Sequence, residues 1–238
     1  MTEAIVITPV KDSLETTLTT ISAISKNITP VHHVVYNDFS TAETKAGLEQ
    51  ISKEIDFELV HLEDLTDHPS PNYKLVLQVA QKRAVKEGVP LIVVESDVVI
   101  EPDTIQRMLD FYKQHPDTGL LGAVTVDEEG KVNFPYLKFK NKKPQSGYTE
   151  TGKSLSFCCT LMSNQLLQQY NFADLDDSKH WYDTFLSDEA VRLGMRNFVL
   201  TGTPVLHKPH GSRPWKLLKY SNPLKYYFLK LIKNRDKI

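Results

Sequence analysis

Glu95 and Asp97 stand two residues apart inside the stretch Leu91 to Pro102, LIVVESDVVIEP, and their types and spacing suggest chemistry. Leu91 to Val94 is continuous and mostly β-branched, the pattern of a strand buried on both faces of a parallel sheet. The chain then leaves the core through Glu95-Ser96-Asp97, and Pro102 with Asp103 and Thr104 opens a helix. Ligands of open α/β sheets bind outside the carboxyl ends of the strands, where these acids fall. In extended backbone an i, i+2 pair points both side chains the same way. Two carboxylates aimed into one cleft repel each other, which calls for a cation between them and an anion beyond. A divalent metal on a nucleotide diphosphate meets both requirements; a helix cap or a solvated turn is the competing reading.

The elements that must position this pair follow from periodicity. Ala4 to Thr8 reads as a strand stopping at Pro9, and Ser13 to Ile24 as a helix with Leu14, Leu18, Ile21 and Ile24 on one face. Val31 to Tyr36 is a second strand, Asn37-Asp38 a loop, and Ser40-Thr41-Ala42-Glu43 a capping box opening a helix to about Glu54. Phe57 to His61 is a third strand; a polar loop, Glu63 to Asn72, precedes a helix from about Tyr73 to Lys86. Strands alternating with helices in this way predict βαβ units and a parallel sheet. After the Asp103 helix, Gly119 to Val126 and Val132 to Phe139 flank Asp127-Glu128-Glu129-Gly130 as a hairpin, and Ser154 to Met162 is a further strand. Asp183 to Leu193 reads as a helix ended by Gly194, followed by short strands at Phe198 to Leu200 and Val205 to Leu206.

The chain of 238 residues, 40% hydrophobic and 24% charged, has the composition of a soluble globular protein. A formal charge of −2 argues against a nucleic-acid partner. That charge is unevenly spread: Arg213 to Ile238 holds eight Lys/Arg against one Asp, about +7, which leaves about −9 for the rest. The two cysteines, Cys158 and Cys159, are adjacent, which suits neither a metal knuckle nor a disulfide framework and predicts a reducing, cytoplasmic setting with both thiols packed in the core. Neither a signal peptide nor a membrane span is expected. No GxGxxG or GxxxxGK[ST] occurs, so phosphates would be held without a glycine-rich loop.

Four segments, in order, resemble the nucleotide-sugar glycosyltransferases of family 2, which have the GT-A fold. They are the opening strand with Pro9; VVYNDFST at Val34 to Thr41, similar to the family's DDGST; VVESDVVIEP at Val93 to Pro102, similar to its DxD segment; and WYDTFLSDEAVRLGMRNFVLTGTPVLH at Trp181 to His207. The resemblance implies a mixed, mainly parallel α/β sheet flanked by helices, with a small antiparallel addition. It further implies one GT-A-like domain over 1–212, with a nucleotide-binding half at 1–100 and an acceptor half at 101–212, followed by the basic extension 213–238.

Residue by residue, the resemblance implies that Pro9 and Asp38 line the nucleotide-base pocket, that Asp97 and His207 bind the metal, and that Glu95 occupies the first DxD position with a side chain one methylene longer. Whether Glu95 touches metal, ribose or neither stays open. Asp183 is implied as the general base, with Asp188 its rival, and Trp181 and Tyr182 as aromatic surfaces for the acceptor. Moving a glycosyl group off a nucleoside diphosphate builds charge on the leaving phosphate, which Mn2+ or Mg2+ stabilises. Such cations take oxygen ligands from one or two carboxylates plus phosphate and water, and imidazole favours manganese. The expected activity is therefore metal-dependent, inverting transfer from a nucleoside-diphosphate sugar to a hydroxyl of a glycan or lipid-linked glycan.

Other candidates read differently. His210, His32 and His33 read as turn, surface or packing residues, while Lys82 and Arg83 are solvated or within reach of a diphosphate. The segment after Pro214, basic with aromatic interleaving, suits an amphipathic helix on an anionic membrane surface at the cytoplasmic face, or one packed on the domain. Two rival readings stand: a catalytically silent GT-A-like domain that binds nucleotide or glycan, suggested by Glu95 in place of aspartate, and a nucleotidyltransferase, which would need a glycine- and lysine-rich phosphate loop that this chain lacks.

Overall fold

The computed structural model describes residues 2–140, 147–152, 154–176, 181–208, 222, 224 and 225. Its first half repeats strand and helix: β1 (Ala4–Val10), α1 (Leu14–Ser25), β2 (Val31–Asn37), α2 (Ala42–Ile51), β3 (Glu58–His61), α3 (Tyr73–Glu87) and β4 (Leu91–Val94). There follow β5 (Val98–Val99), α4 (Thr104–Gln114), β6 (Thr118–Val126), β7 (Tyr148–Glu150), β8 (Cys159–Met162), α5 (Asn164–Gln169), α6 (Tyr182–Arg192) and β9 (Arg196–His207). These strands form one sheet in the order β3-β2-β1-β4-β8-β6-β9-β5, with β7 also on β9. β3, β2, β1 and β4 are parallel neighbours, β8 lies antiparallel between β4 and β6, and β6 and β9 are parallel.

Burial explains the layers. Odd-numbered residues of β1 and β4, Ile5, Ile7, Leu91 and Val93, pack with Val76, Leu77 and Ala80 of α3 and with Leu186 and Ala190 of α6. Their even-numbered neighbours, Val6, Ile92 and Val94, pack with Ile24 of α1 and with Ile105, Met108 and Leu109 of α4. A strand buried on both faces has no polar side to spare, which is why Leu91–Val94 reads as an unbroken apolar run. The chain winds outward through β2 and β3, then returns to lay β4 on the other side of β1. The C-terminal ends of β1 and β4 thus border the reversal in strand order where open α/β sheets place ligands.

Several expectations are corrected. β1 does not stop at Pro9 but runs to Val10. The Val10 carbonyl accepts from Asp38 N at 2.8 Å, so Val10 faces β2 and Pro9 turns its missing donor toward β4, whose pairing with β1 has ended at Ile7. At the start of α2 the Ser40 hydroxyl accepts instead from Asp12 N at 2.9 Å, so Thr41 is the N-cap and no Ser40/Glu43 capping box forms. The turn at Asp127 to Lys131 is present, with Asp127 Oδ1 accepting from Glu129 N and Lys131 N and Gly130 at φ 74°. Val132 to Phe139, however, is not a strand. Only Val132 bridges Val126, and Pro135 breaks the ladder before a single 3-10 turn at Leu137–Phe139.

The strands expected at Phe198 to Leu200 and Val205 to Leu206 are one element, β9, which shifts register against β6 between Ala123 and Thr125. Among the described residues no helix is long and apolar enough to cross a membrane. His210, residues 141–146 of the expected loop, and all but residues 222, 224 and 225 of the basic extension lie outside the described residues.

Candidate active site

Beyond β4 the backbone turns tightly. Val98 N donates to the Glu95 carbonyl at 3.1 Å, so Glu95-Ser96-Asp97 is a β-turn rather than the extended segment that an i, i+2 argument requires. Pairing across the sheet positions each acid instead. Glu95 N donates to the Cys158 carbonyl at the mouth of β8, and the short strand β5 pairs antiparallel with the end of β9, setting Val98 opposite His207. Lys208 N closes this ladder on the Asp97 carbonyl at 2.9 Å. His207, distant in sequence, is thereby placed with Nε2 3.5 Å from Asp97 Oδ2. Asp97 is 8% and His207 5% exposed.

The imidazole is oriented from behind. Nδ1 lies 2.7 Å from the Phe134 carbonyl, which can only accept, so Nδ1 carries a proton and Nε2 faces Asp97, donating to it when the ring is protonated and offering a lone pair to a cation when it is not. Asn133 Nδ2 donates to the His207 carbonyl at 3.0 Å and holds the same corner. Burial works to lower the His207 pKa, but the hydrogen bond and charge of Asp97 outweigh it and leave it raised. Burial also pushes Glu95 up to about 7, with the Asp97 charge adding to the rise and His207 opposing it.

A histidine whose second nitrogen is tied to a backbone carbonyl, facing a carboxylate, is the donor set of a hard or borderline divalent cation. Among the described residues no group of three or more His, Cys, Asp or Glu could hold a metal. Two protein ligands with open positions fit Mn2+ or Mg2+ shared with substrate phosphate and water.

α6 carries the next carboxylate. Asp183 lies in its first turn, with Oδ1 accepting from Thr184 N at 2.7 Å, and its own carbonyl accepts from Ser187 Oγ at 2.7 Å. Ser187 in turn accepts from Leu155 N, and Asn197 of β9 donates to the Ser187 carbonyl at 2.8 Å, so the helix start is tied to the sheet. Asp183 is half-buried and its charge helps to raise the Glu95 pKa. Asp188 is exposed further along the helix. Trp181 is 46% exposed, whereas Tyr182 is 5% exposed and packs inward beside Tyr73, so of the two aromatic residues expected to meet an acceptor only Trp181 offers a surface.

Asp38 is buried, and its carboxylate clamps the segment leading into α3. Oδ2 accepts from Ser70 Oγ and Asn72 N, and Oδ1 from Asn72 Nδ2, each at 2.8 Å. Three of its roughly four acceptor positions are filled, so about one remains for a ligand donor. Asp38→Ala strands those donors and will lower unfolding stability by about 2–3 kcal/mol in urea titrations; a loss under about 0.5 kcal/mol would contradict the clamp. The loop after β1 is laced to the same region by Lys11 on the Phe39 carbonyl and Thr41 N on Asp12 Oδ1, with Asp12, Ser13 and Phe39 all at positive φ.

Arg83 does not reach this cleft: it makes a bidentate pair with Glu58, at 2.7 and 2.9 Å, and His32 joins the same carboxylate. His33 is buried against Thr8. Sequence reasoning missed two groups near Glu95. Cys158, expected only as packing, is buried with its thiol 3.4 Å from Ser156 Oγ and its backbone carbonyl on Glu95 N, and the Tyr73 hydroxyl lies within the field of Glu95 and Asp183. Neither carried a signal beyond being an apolar or aromatic residue at an element boundary.

A model of glycosyl transferase family 2 matches residues 5–170, more than half of the chain. Among solved structures, the mannosyltransferase PcManGT from Pyrobaculum calidifontis, in complex with GDP-Man and Mn2+, superposes with a TM-score of 0.67 at 12% identity, over 96% of this chain and 64% of that one. TarS 1-349 of S. aureus in complex with UDP-GlcNAc gives 0.63 at 18% identity, over 92% and 65%. Likeness at such identity is one of fold, the GT-A-like α/β sheet flanked by helices. This chain spans about 60–65% of the length of these structures. No curated protein matches it.

Proposed function

The chain belongs to glycosyl transferase family 2, and from that premise we propose that it moves a sugar from a nucleoside diphosphate to a hydroxyl of a glycan or lipid-linked glycan, with inversion at the anomeric carbon and dependence on a divalent metal. The observation that carries the reading is the Asp97–His207 pair, brought to 3.5 Å by the β5–β9 ladder at the C-terminal edge of the sheet. Asp97 and His207 would hold the cation, which when bound supplies Lewis-acid stabilisation of charge on the departing diphosphate. Manganese suits the imidazole ligand, and the mannosyltransferase of the same fold is in complex with Mn2+.

In this reading the β1 and β2 loops, with Pro9 and the residual acceptor position of Asp38, receive the base. The acceptor oxygen attacks the anomeric carbon as the bond to the diphosphate breaks, and its proton passes to the Asp183 carboxylate. A base acting on the face opposite the leaving group gives inversion. The exposed ring of Trp181 offers the acceptor a stacking surface. Residues 1–100 then form the nucleotide half and 101–212 the acceptor half of one domain. The basic, aromatic-interleaved extension 213–238 suits a peripheral position at the cytoplasmic face of an anionic membrane.

Thermal unfolding with UDP, GDP, dTDP and CDP, with and without Mn2+, tests this. A nucleotide at 100 times its Kd stabilises by ~2.7 kcal/mol. One nucleotide should do so only with metal, and Asp97→Ala should erase the shift. No shift with any nucleotide would sink the reading.

A second reading, a domain that binds nucleotide without turnover, is favoured by one observation: Glu95, at the first position of the acidic turn, is held near a pKa of 7 and is substantially protonated at neutral pH. Hydrolysis or transfer from the matching nucleotide sugar separates the two, because the silent domain binds it and releases no free nucleotide.

A further inference from the structure

β6 ends at Val126, paired with Leu206, so no residue of that strand stands opposite His207. The chain turns at Asp127 to Lys131 and comes back past this corner, where Asn133 takes up the pairing. Its backbone N donates to the Thr125 carbonyl at 3.1 Å and its carbonyl accepts from Thr125 Oγ1 at 3.4 Å, which fixes it against the sheet. From there Nδ2 donates to the His207 carbonyl at 3.0 Å. The next carbonyl, of Phe134, lies 2.7 Å from His207 Nδ1 and accepts from Thr125 Oγ1 at 3.2 Å. One dipeptide therefore holds both the main chain and the ring of the residue that faces Asp97 at 3.5 Å. Asparagine carries a cost here. Its Oδ1 is buried and finds no hydrogen-bond partner among the described residues, a penalty that an apolar side chain of the same size would avoid.

We propose that Asn133 is a positioning residue for the metal site, setting through His207 how tightly the cation is held and how far Mn2+ is preferred to Mg2+. This rests on the glycosyltransferase reading and on the cation that Asp97 and His207 share within it. The peptide unit between His207 and Lys208 is gripped at both ends, its carbonyl by Asn133 Nδ2 and its N–H by the Asp97 carbonyl at 2.9 Å. Asn133 thus fixes the one peptide that ties the two ligands together. The Phe134 carbonyl acts on a single ring nitrogen and leaves the ring free to swing about that bond; the amide stops the swing by anchoring the main chain from which the ring projects. Asp97 keeps a second hold in the Glu95 turn, where Val98 N donates to the Glu95 carbonyl at 3.1 Å, so loss of the amide falls on the imidazole. Outer partners that orient a histidine ligand are worth about 10–100-fold in metal affinity, and imidazole is the ligand that favours manganese.

Asn133→Leu keeps the volume and both backbone bonds to Thr125 and removes the amide; Asn133→Ala gives a second measurement should leucine crowd the turn. Thermal unfolding of each protein is followed against Mn2+ and against Mg2+, at a fixed concentration of UDP, GDP, dTDP or CDP. The metal concentration that gives half the shift is the readout, and metal held by free nucleotide is the same for every variant. The expected result is an unliganded melting temperature close to wild type, a half-shift concentration raised about tenfold for Mn2+, and one raised about threefold or less for Mg2+. The preference for Mn2+ narrows. Unchanged values, or equal proportional rises for the two metals, overturn the inference while the glycosyltransferase reading stands. So does a wild type that does not answer to both metals with Mn2+ the tighter, and so does failure of both variants to fold, which would assign Asn133 to the fold alone. A wild type that no diphosphate stabilises with either metal overturns the reading itself.

Discussion

Asp183→Asn will lower turnover by about 10²–10⁴-fold while leaving nucleotide affinity within about twofold, and Asp188→Asn will leave turnover within about twofold. The asymmetry comes from where α6 presents the two acids. Asp183 sits in the first turn, half-buried, its charge felt by Glu95, whereas Asp188 is exposed one and a half turns on. Asparagine is isosteric and keeps the Oδ1 acceptor that Thr184 N uses at 2.7 Å. The tie from Ser187 Oγ runs to the Asp183 backbone carbonyl and is untouched. What the amide cannot do is accept the proton of the attacking hydroxyl. Initial rates of nucleotide release with saturating acceptor measure the loss, and thermal shifts with nucleotide and Mn2+ confirm an intact donor site. A large loss in Asp188→Asn with near-normal turnover in Asp183→Asn would exchange the two roles.

The parts of this site that could be read from sequence are those whose causes are local. Leu91 to Val94 announced a doubly buried strand because no position in it can face water, and Gly194 marked the end of α6 because it takes φ 80°. The acid pair was legible as a pair, but its geometry was not. An extended backbone was the simplest assumption for Glu95-Ser96-Asp97, and the turn exists because β5 must bend back to reach β9, a contact 109 residues away along the chain for Val98 and His207. No periodicity encodes that contact; the expectation for His207 came from resemblance, and the ladder explains it physically. Tyr73 shows the complementary failure. An aromatic residue at a helix start reads as core, and only the structure reveals that its oxygen finds no hydrogen-bond partner among the described residues.

Between pH 4.5 and 6.5, in EDTA, two single substitutions will tilt the pH dependence of unfolding free energy in opposite directions relative to the wild type. His33, 6% exposed and hydrogen-bonded through Nε2 to Thr8 Oγ1, is lowered to about 3 by burial, with the neighbouring His32 charge adding to it. Its unfolded counterpart titrates near 6.5, so across this window the unfolded chain binds the extra proton. The His33 contribution is complete above pH 6.5 and is lost as pH falls toward 3, at up to about 1.4 kcal/mol per pH unit.

Glu95 runs the other way. Its folded pKa, about 7, lies above the unfolded 4.5, so the native chain binds the extra proton and stability falls as pH rises through the same window, at a similar rate. The two contributions oppose each other. His33→Gln, which keeps a partner for Thr8 but cannot charge, removes the first and should make the change in stability from pH 4.5 to 6.5 about 2 kcal/mol more negative than that of the wild type. Glu95→Gln should make it more positive by about the same amount. Urea titrations at half-unit pH steps measure all three curves. Parallel curves for wild type and His33→Gln would show that His33 protonates in the folded protein as easily as in the unfolded one, and that the pocket between Thr8 and Phe57 does not exclude its charge.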